Sequence, residues 1–132
     1  MKEIDKLAWV CIKDKQLLGA RSKNNATYYI PGGKRELGES DAEALTREIK
    51  EELSVDLLPA TITYLETFKA QAHGKPDGVN VKITCYLAEH IGEVQANAEI
   101  EEIIWLNHKD KESCSLVVKI IMDWLKSEGM IE

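Results

Sequence analysis

Two short apolar runs open the chain. Leu7-Ala8-Trp9-Val10-Cys11-Ile12 is followed, after the polar turn Lys13-Asp14-Lys15, by Gln16-Leu17-Leu18-Gly19-Ala20-Arg21. Short apolar runs split by a polar turn predict a pair of strands. Ser22 to Thr27 is polar, contains Asn24-Asn25 and reads as a loop, and Tyr28 to Ile30 predicts a brief strand stopped by Pro31. The period then changes. Ala42, Leu45, Ile49 and Leu53 recur three or four residues apart, the apolar stripe of an amphipathic helix. Ser40 followed by Glu43 matches a capping box, so the helix is expected from about Ser40 to Leu53. Glu43 with Arg47, and Arg47 with Glu51, stand at i, i+4 and are expected to pair. Asp56-Leu57-Leu58-Pro59 ends the pattern.

Thr61 to Ala70 and Val79 to Ala88 are rich in β-branched and aromatic residues, and Gly74, Pro76, Asp77 and Gly78 lie between them. This predicts a hairpin with an extended loop. Gly92 to Asn97 reads as a connector and Ile103-Ile104-Trp105-Leu106 as a last strand. Leu116-Val117, Ile120-Ile121 and Trp124-Leu125 recur at helical spacing, giving a closing helix of about Ser115 to Ser127 with Gly129 as its C′ residue. Trp9, Phe68, Trp105 and Trp124 are assigned to the core. Strands, helix, strands, helix is the order of an α/β domain.

The first helix carries an electrostatic conflict. Glu48, Glu51 and Glu52 lie at helical spacing on an arc next to the apolar stripe, not opposite it. Like charges so placed repel by a few tenths of a kcal/mol per pair, and shelter from water strengthens the repulsion. A hard divalent cation with oxygen ligands reverses the sign, so the helix reads as a magnesium platform. On its own an EIKEE string would read as a solvated acidic face.

The chain has 132 residues, 44% apolar and 30% charged, which suits one folded domain over residues 1–132. A net charge of −6 and a pI near 5.2 speak against a nucleic-acid polymer as partner. No apolar run approaches the roughly 20 residues of a membrane span, and the first residues lack the apolar segment of a signal peptide. A cytoplasmic protein is expected. Cys11, Cys85 and Cys114 are far apart and form no C-x-x-C pair, so neither disulfides nor a zinc site is expected. His73, His90 and His108 are scattered and receive no catalytic role.

With these residues placed, the stretch Gly33 to Val55 resembles the Nudix box, the signature of the Nudix hydrolases. Gly33, Glu39, Arg47, Glu48, Ile49, Glu51, Glu52 and Val55 fall on the family's pattern; Ser54 replaces its usual glycine. The family glycine ends the helix, where left-handed backbone angles are common. The resemblance implies an α/β/α sandwich with a mixed central sheet and the hydrolysis of a nucleoside diphosphate linked to another moiety, with Mg2+ or Mn2+. Glu48, Glu51 and Glu52 would be metal ligands, with the Gly32 carbonyl as a further one. Glu39 and Arg47 would hold the loop against the helix and orient those carboxylates. A further acid beyond the box, Glu99 first and Glu102 second, would complete the site as ligand or base, a role for which Glu48 also stands.

Substrate contacts are expected from Arg21, Lys23, Lys34 and Arg35 on phosphate oxygens, and from Tyr29, with Tyr28, on a base. Among subclasses the chain is most similar to the MutT-type (d)NTP pyrophosphohydrolases, oxidised nucleotides included. An ADP-ribose or ADP-sugar pyrophosphatase is the alternative: that branch carries a proline near Ala70, and Pro76 is close by. Dinucleoside polyphosphate hydrolases carry a tyrosine near Ala72 or His73, absent here. The oxidised-guanine branch reads its base with an asparagine near the last helix, where this chain has Ser113 or Cys114. A non-catalytic nucleotide-binding module would lack box carboxylates that are all present. Family members occur as monomers or homodimers.

Overall fold

The computed structural model describes residues 2–72 and 75–132. His73, given no catalytic role above, and Gly74 of the hairpin loop lie outside the described residues. In chain order the strands are β1 (Lys2–Trp9), β2 (Ile12–Lys13), β3 (Gln16–Ser22), β4 (Gly32–Gly33), β5 (Asp56–Leu57), β6 (Thr63–Gln71), β7 (Val79–Leu87), β8 (His90–Ile91) and β9 (Ile100–Leu106), with helices α1 (Asp41–Leu53) and α2 (Leu116–Ser127).

The first apolar run does not form one strand paired to the second, as expected from the sequence. It divides at Val10-Cys11. Leu7 to Trp9 end β1, which belongs to a mixed four-stranded sheet ordered β4-β1-β7-β6, while Ile12 opens the antiparallel sheet β2-β3-β9. The reason lies in the edges of β1. One runs parallel to β7 from Lys2↔Val79 to Trp9↔Tyr86, and the other is taken by β4 through Leu7↔Gly33 and Ala8↔Gly32. β3 pairs instead with β2 and β9. Asp14 and Lys15, both at positive φ (53° and 60°), make the tight β2-β3 turn. Tyr28 to Ile30 makes only isolated bridges, Tyr29 to Ala20 and Tyr28 to Cys114. The hairpin β6-β7 forms as expected. His108–Ser113 winds into a 3-10 turn not anticipated from sequence.

The pleat of β1 separates two cores. Leu7 and Trp9 pack with Ala44, Leu45, Ile49 and Leu53 of α1, whereas Ala8 and Ile4 belong with Val118, Ile121, Met122 and Leu125 of α2. One helix covers each side, giving the α/β/α arrangement with a mixed sheet. Leu45, Ile49 and Leu53 are fully buried, and each such side chain contributes about 1.5–3 kcal/mol. Trp9 is fully buried, and Phe68, Trp105 and Trp124 are partly so. All three cysteines are free. Among the described residues no helix is long and apolar enough to cross a membrane.

Both helix ends follow local chemistry. Ser40 and Glu43 form the reciprocal capping box, and Glu43 Oε1 accepts from the Ser40 N–H at 2.9 Å. Glu43 is thereby committed to the cap and not to Arg47. Ser54 ends α1 at φ 62°, ψ 24°, the left-handed conformation that costs a non-glycine residue about 1 kcal/mol. Gly129, at φ 74°, lets the Met130 N–H reach Leu125 O and the Gly129 N–H reach Lys126 O at the end of α2.

Candidate functional site

The site is built where β4 meets α1. At Gly32 a side-chain Cβ would lie 2.0 Å from Leu7 O, and at Gly33 it would lie 2.2 Å from Glu48 Oε2. The first glycine lets β4 approach β1; the second lets the Glu48 carboxylate lie directly on the backbone. The Gly32 N–H donates to Glu52 Oε1 at 3.1 Å. Strand and helix are thus joined through the acids themselves.

Arg47 braces this junction. Its Nε and Nη2 donate to the two Glu39 oxygens at 2.7 and 2.8 Å, Nη2 also to Lys34 O at 3.1 Å, and Nη1 to Glu48 Oε1 at 2.6 Å. Glu51 stands 3.7 Å from Nη1. Glu39 accepts the Glu36 N–H as well, and Arg47 first, then this amide, pull its carboxyl pKa down to about 2. The planar guanidinium suits such forked contacts. Its result is a loop pinned to the helix and a Glu48 fixed in direction.

A cleft of about 590 Å3 opens beside the brace. Glu48, Glu52 and Glu99 are among the residues that line it. Glu52 is only 7% exposed. Burial first, and then the neighbouring Glu48 and Glu99 carboxylates, push its pKa up to about 8 against the opposing Gly32 N–H. Glu51 is 56% exposed at its side chain and does not line the cleft. Among the described residues no three His, Cys, Asp or Glu side chains already stand in metal-binding geometry, because Arg47 holds Glu48 and Glu51 faces solvent. The donor chemistry fits a hard divalent cation: all-oxygen, in carboxylate excess, with one buried member that has no cationic partner. Such an ion would be held by Glu48 and Glu52, with Glu51 after a side-chain rotation, and Glu99 would stand beside it.

Ile30, Val81, Ile83, Val117 and Val118 add an apolar share to its lining. Ser115, 1% exposed, places there a buried Oγ without a hydrogen-bond partner. The sequence pointed to Ser113 or Cys114 for this position. Neither lines the cleft, and the Cys114 thiol is directed toward Asp110 O and Met122. Ser115 reads from sequence as a helix start, yet its hydroxyl makes no cap hydrogen bond.

The expected cations divide. Lys34 and Tyr29 line the cleft. Arg21 instead donates to Glu102 and to Asn25 O, and Arg35 pairs with Asp41 and Asp5, so both are neutralised away from the acids. Glu102, bound by Arg21 and the Tyr28 hydroxyl, is likewise engaged elsewhere. Lys23 contributes through its backbone, whose N–H holds Glu99 O at 2.9 Å. Lys6 and Lys75 line the cleft without having been expected there.

Residues 5–115 match the NUDIX domain family. The chain belongs to the Nudix family. No curated protein matches it in sequence, but solved structures share its fold. A MutT NUDIX hydrolase from Burkholderia pseudomallei superposes with a TM-score of 0.74 at 22% identity, covering 93% of this chain and 98% of that one. The MutT protein of Methanosarcina mazei Go1 gives 0.76 at 17% identity, covering 97% and 96%. A UDP-X diphosphatase gives 0.70 at 17% identity, covering 98% of this chain and 64% of its own. As a Nudix hydrolase the chain is a pyrophosphohydrolase of nucleoside diphosphates linked to a further group, in a family that uses divalent cations such as Mg2+.

Proposed function

We propose that the chain cleaves (deoxy)nucleoside triphosphates to the monophosphate and pyrophosphate, as MutT-type Nudix enzymes do, with Mg2+ or Mn2+. The mixed lining of the cleft carries this reading. Its carboxylates suit a metal-bound polyphosphate, and its apolar residues, with the Ser115 hydroxyl that lacks a partner, suit a planar base. Glu48, Glu51 and Glu52, with the Gly32 carbonyl, hold the metal in this reading. Bound there, the cation neutralises phosphate oxygens and acidifies a water. Glu39 and Arg47 keep Glu48 oriented. Glu48 Oε1 is occupied by Arg47, which weakens it as a base, so the proton of the attacking water is assigned to Glu99 at the cleft edge. Tyr29 and Lys34 border the substrate.

The test is incubation with Mg2+ and a panel of dNTPs, oxidised dGTP, ADP-ribose, UDP-sugars and dinucleoside polyphosphates. Monophosphate and pyrophosphate from a triphosphate are expected. Turnover confined to ADP-ribose or UDP-sugars would overturn the triphosphate reading, and tight nucleotide binding without turnover of any panel member would make the chain a binding module.

A further inference from the structure

Lys6 occupies a position that strand chemistry does not favour. The pleat of β1 puts Ile4, Lys6 and Ala8 on the cleft side, facing the register partners Val81, Ile83 and Cys85 of β7. Its nearest neighbours in that row are apolar. A lysine there loses hydration along its stem and head, and burial with the nearby Lys34 lowers its pKa. Among the described residues no ion pair or hydrogen bond holds its ammonium, and only the longer-range fields of Glu52 and Glu48 favour its charge, whereas Arg21, Arg35 and Arg47 are all carboxylate-bound. Lys6 lies within the electrostatic reach of Glu48 and Glu52, which favour its charge, and of Lys34 and Lys75, which oppose it. The cleft thus joins carboxylates supplied by α1 to a lysine of β1 that has no ion pair.

We propose that Lys6 is the phosphate anchor of the cleft, its ammonium binding phosphate oxygens of the nucleotide from the sheet, with Lys34 and Lys75 as further cations of the lining. This rests on the nucleotide reading given above but concerns a residue well outside the box. A point charge on the phosphates carries no base information, so Lys6 selects for anionic charge and leaves base choice to other residues of the lining.

The experiment is calorimetric binding, with Mg2+, of the α,β-methylene analogues of dATP, dGTP, dCTP and dTTP to wild type, Lys6→Met and Lys6→Arg, with the matching nucleosides as controls. Loss of one charge-assisted bond predicts a Kd about tenfold or more higher in Lys6→Met. The factor should be similar for every analogue bound, partly restored in Lys6→Arg, and absent for the nucleosides. Metal-free melting of Lys6→Met should stay at or above wild type, because a half-buried charge without an ion pair is removed. Unchanged Kd, a loss confined to one base, or a lower melting temperature that marks Lys6 as a counterion of Glu52 overturns the proposal. Binding that depends on Lys6 without turnover sinks the hydrolysis reading alone. Turnover with Lys6→Met indistinguishable from wild type sinks the anchor alone, and no binding of any analogue by wild type sinks both.

Discussion

Replacing Glu52 by Gln should stabilise the metal-free protein at neutral and alkaline pH. The Glu52 carboxyl has a folded-state pKa near 8 against 4.5 for the free group. Between those values the unfolded chain has released the proton and the folded chain retains it. The folded state binds more protons, so stability falls as pH rises through this window. A difference of about 3.5 units at about 1.4 kcal/mol each gives a ceiling of about 5 kcal/mol above pH 8, and about 3 kcal/mol at pH 7. Gln keeps a carbonyl for the Gly32 N–H and carries no charge to desolvate. Urea denaturation of both proteins in EDTA at pH 5, 7 and 8 measures the effect. The curves should nearly coincide at pH 5, with the variant ahead by a few kcal/mol at pH 8. Mg2+ should then recover stability in wild type at pH 8 and recover little in the variant. Parallel pH profiles, within about 0.5 kcal/mol throughout, would refute the buried, proton-retaining Glu52 and with it the fit of the site to a cation.

The two adjacent glycines should separate fold from chemistry. Gly32→Ala drives a Cβ into the Leu7 carbonyl and should cost about 3 kcal/mol or more in urea unfolding, whereas Gly33→Ala meets only the Glu48 carboxyl and should leave the fold intact while metal-dependent turnover falls at least tenfold. Arg47→Lys breaks the fork to Glu39 and Glu48, and kcat/KM should drop about 10–100-fold, with a higher Mg2+ half-saturation, at little cost in circular dichroism. Ser54→Gly relieves the left-handed cap and should raise stability by about 0.5–1 kcal/mol without changing kcat; a severe change in turnover with no change in stability would contradict a purely structural cap.

What the chain discloses locally, it discloses well. The capping box at Ser40, the left-handed end at Ser54 and the αL glycine after α2 depend on neighbours within a few residues, and all appear where their chemistry places them. Non-local choices were hidden. The run Leu7 to Ile12 does not say that β7 and β4 will claim both edges of β1, so its division between two sheets could not be read. For the site, the spacing of Glu48, Glu51 and Glu52 marks one helix face but not the rotation that buries Glu52 and leaves Glu51 in solvent. The cations misled for a related reason. A basic residue in sequence carries no sign of the carboxylate that will neutralise it, as Glu102 does Arg21 and Asp41 does Arg35. Lys6 was invisible because it interrupts no pattern: it sits at the polar start of β1, in front of the apolar run.

The burial of Glu52 follows from the same packing that makes α1 stable. Ile49 and Leu53 dock the helix under β1, and Glu52, one residue before Leu53, is carried below the surface with them. Sliding the helix outward to hydrate the carboxylate would expose Leu45, Ile49 and Leu53, at about 1.5–3 kcal/mol for each side chain. That exceeds the penalty of about 3 kcal/mol on the acid at pH 7, so the hydrophobic stripe wins and the acid keeps its proton. Arg47 cannot relieve it, since its donors are spent on Glu39, Glu48 and Lys34 O. A cation bound beside Glu52 would let it ionise without that penalty, and the stabilisation by Mg2+ should vanish once Glu52 can no longer ionise.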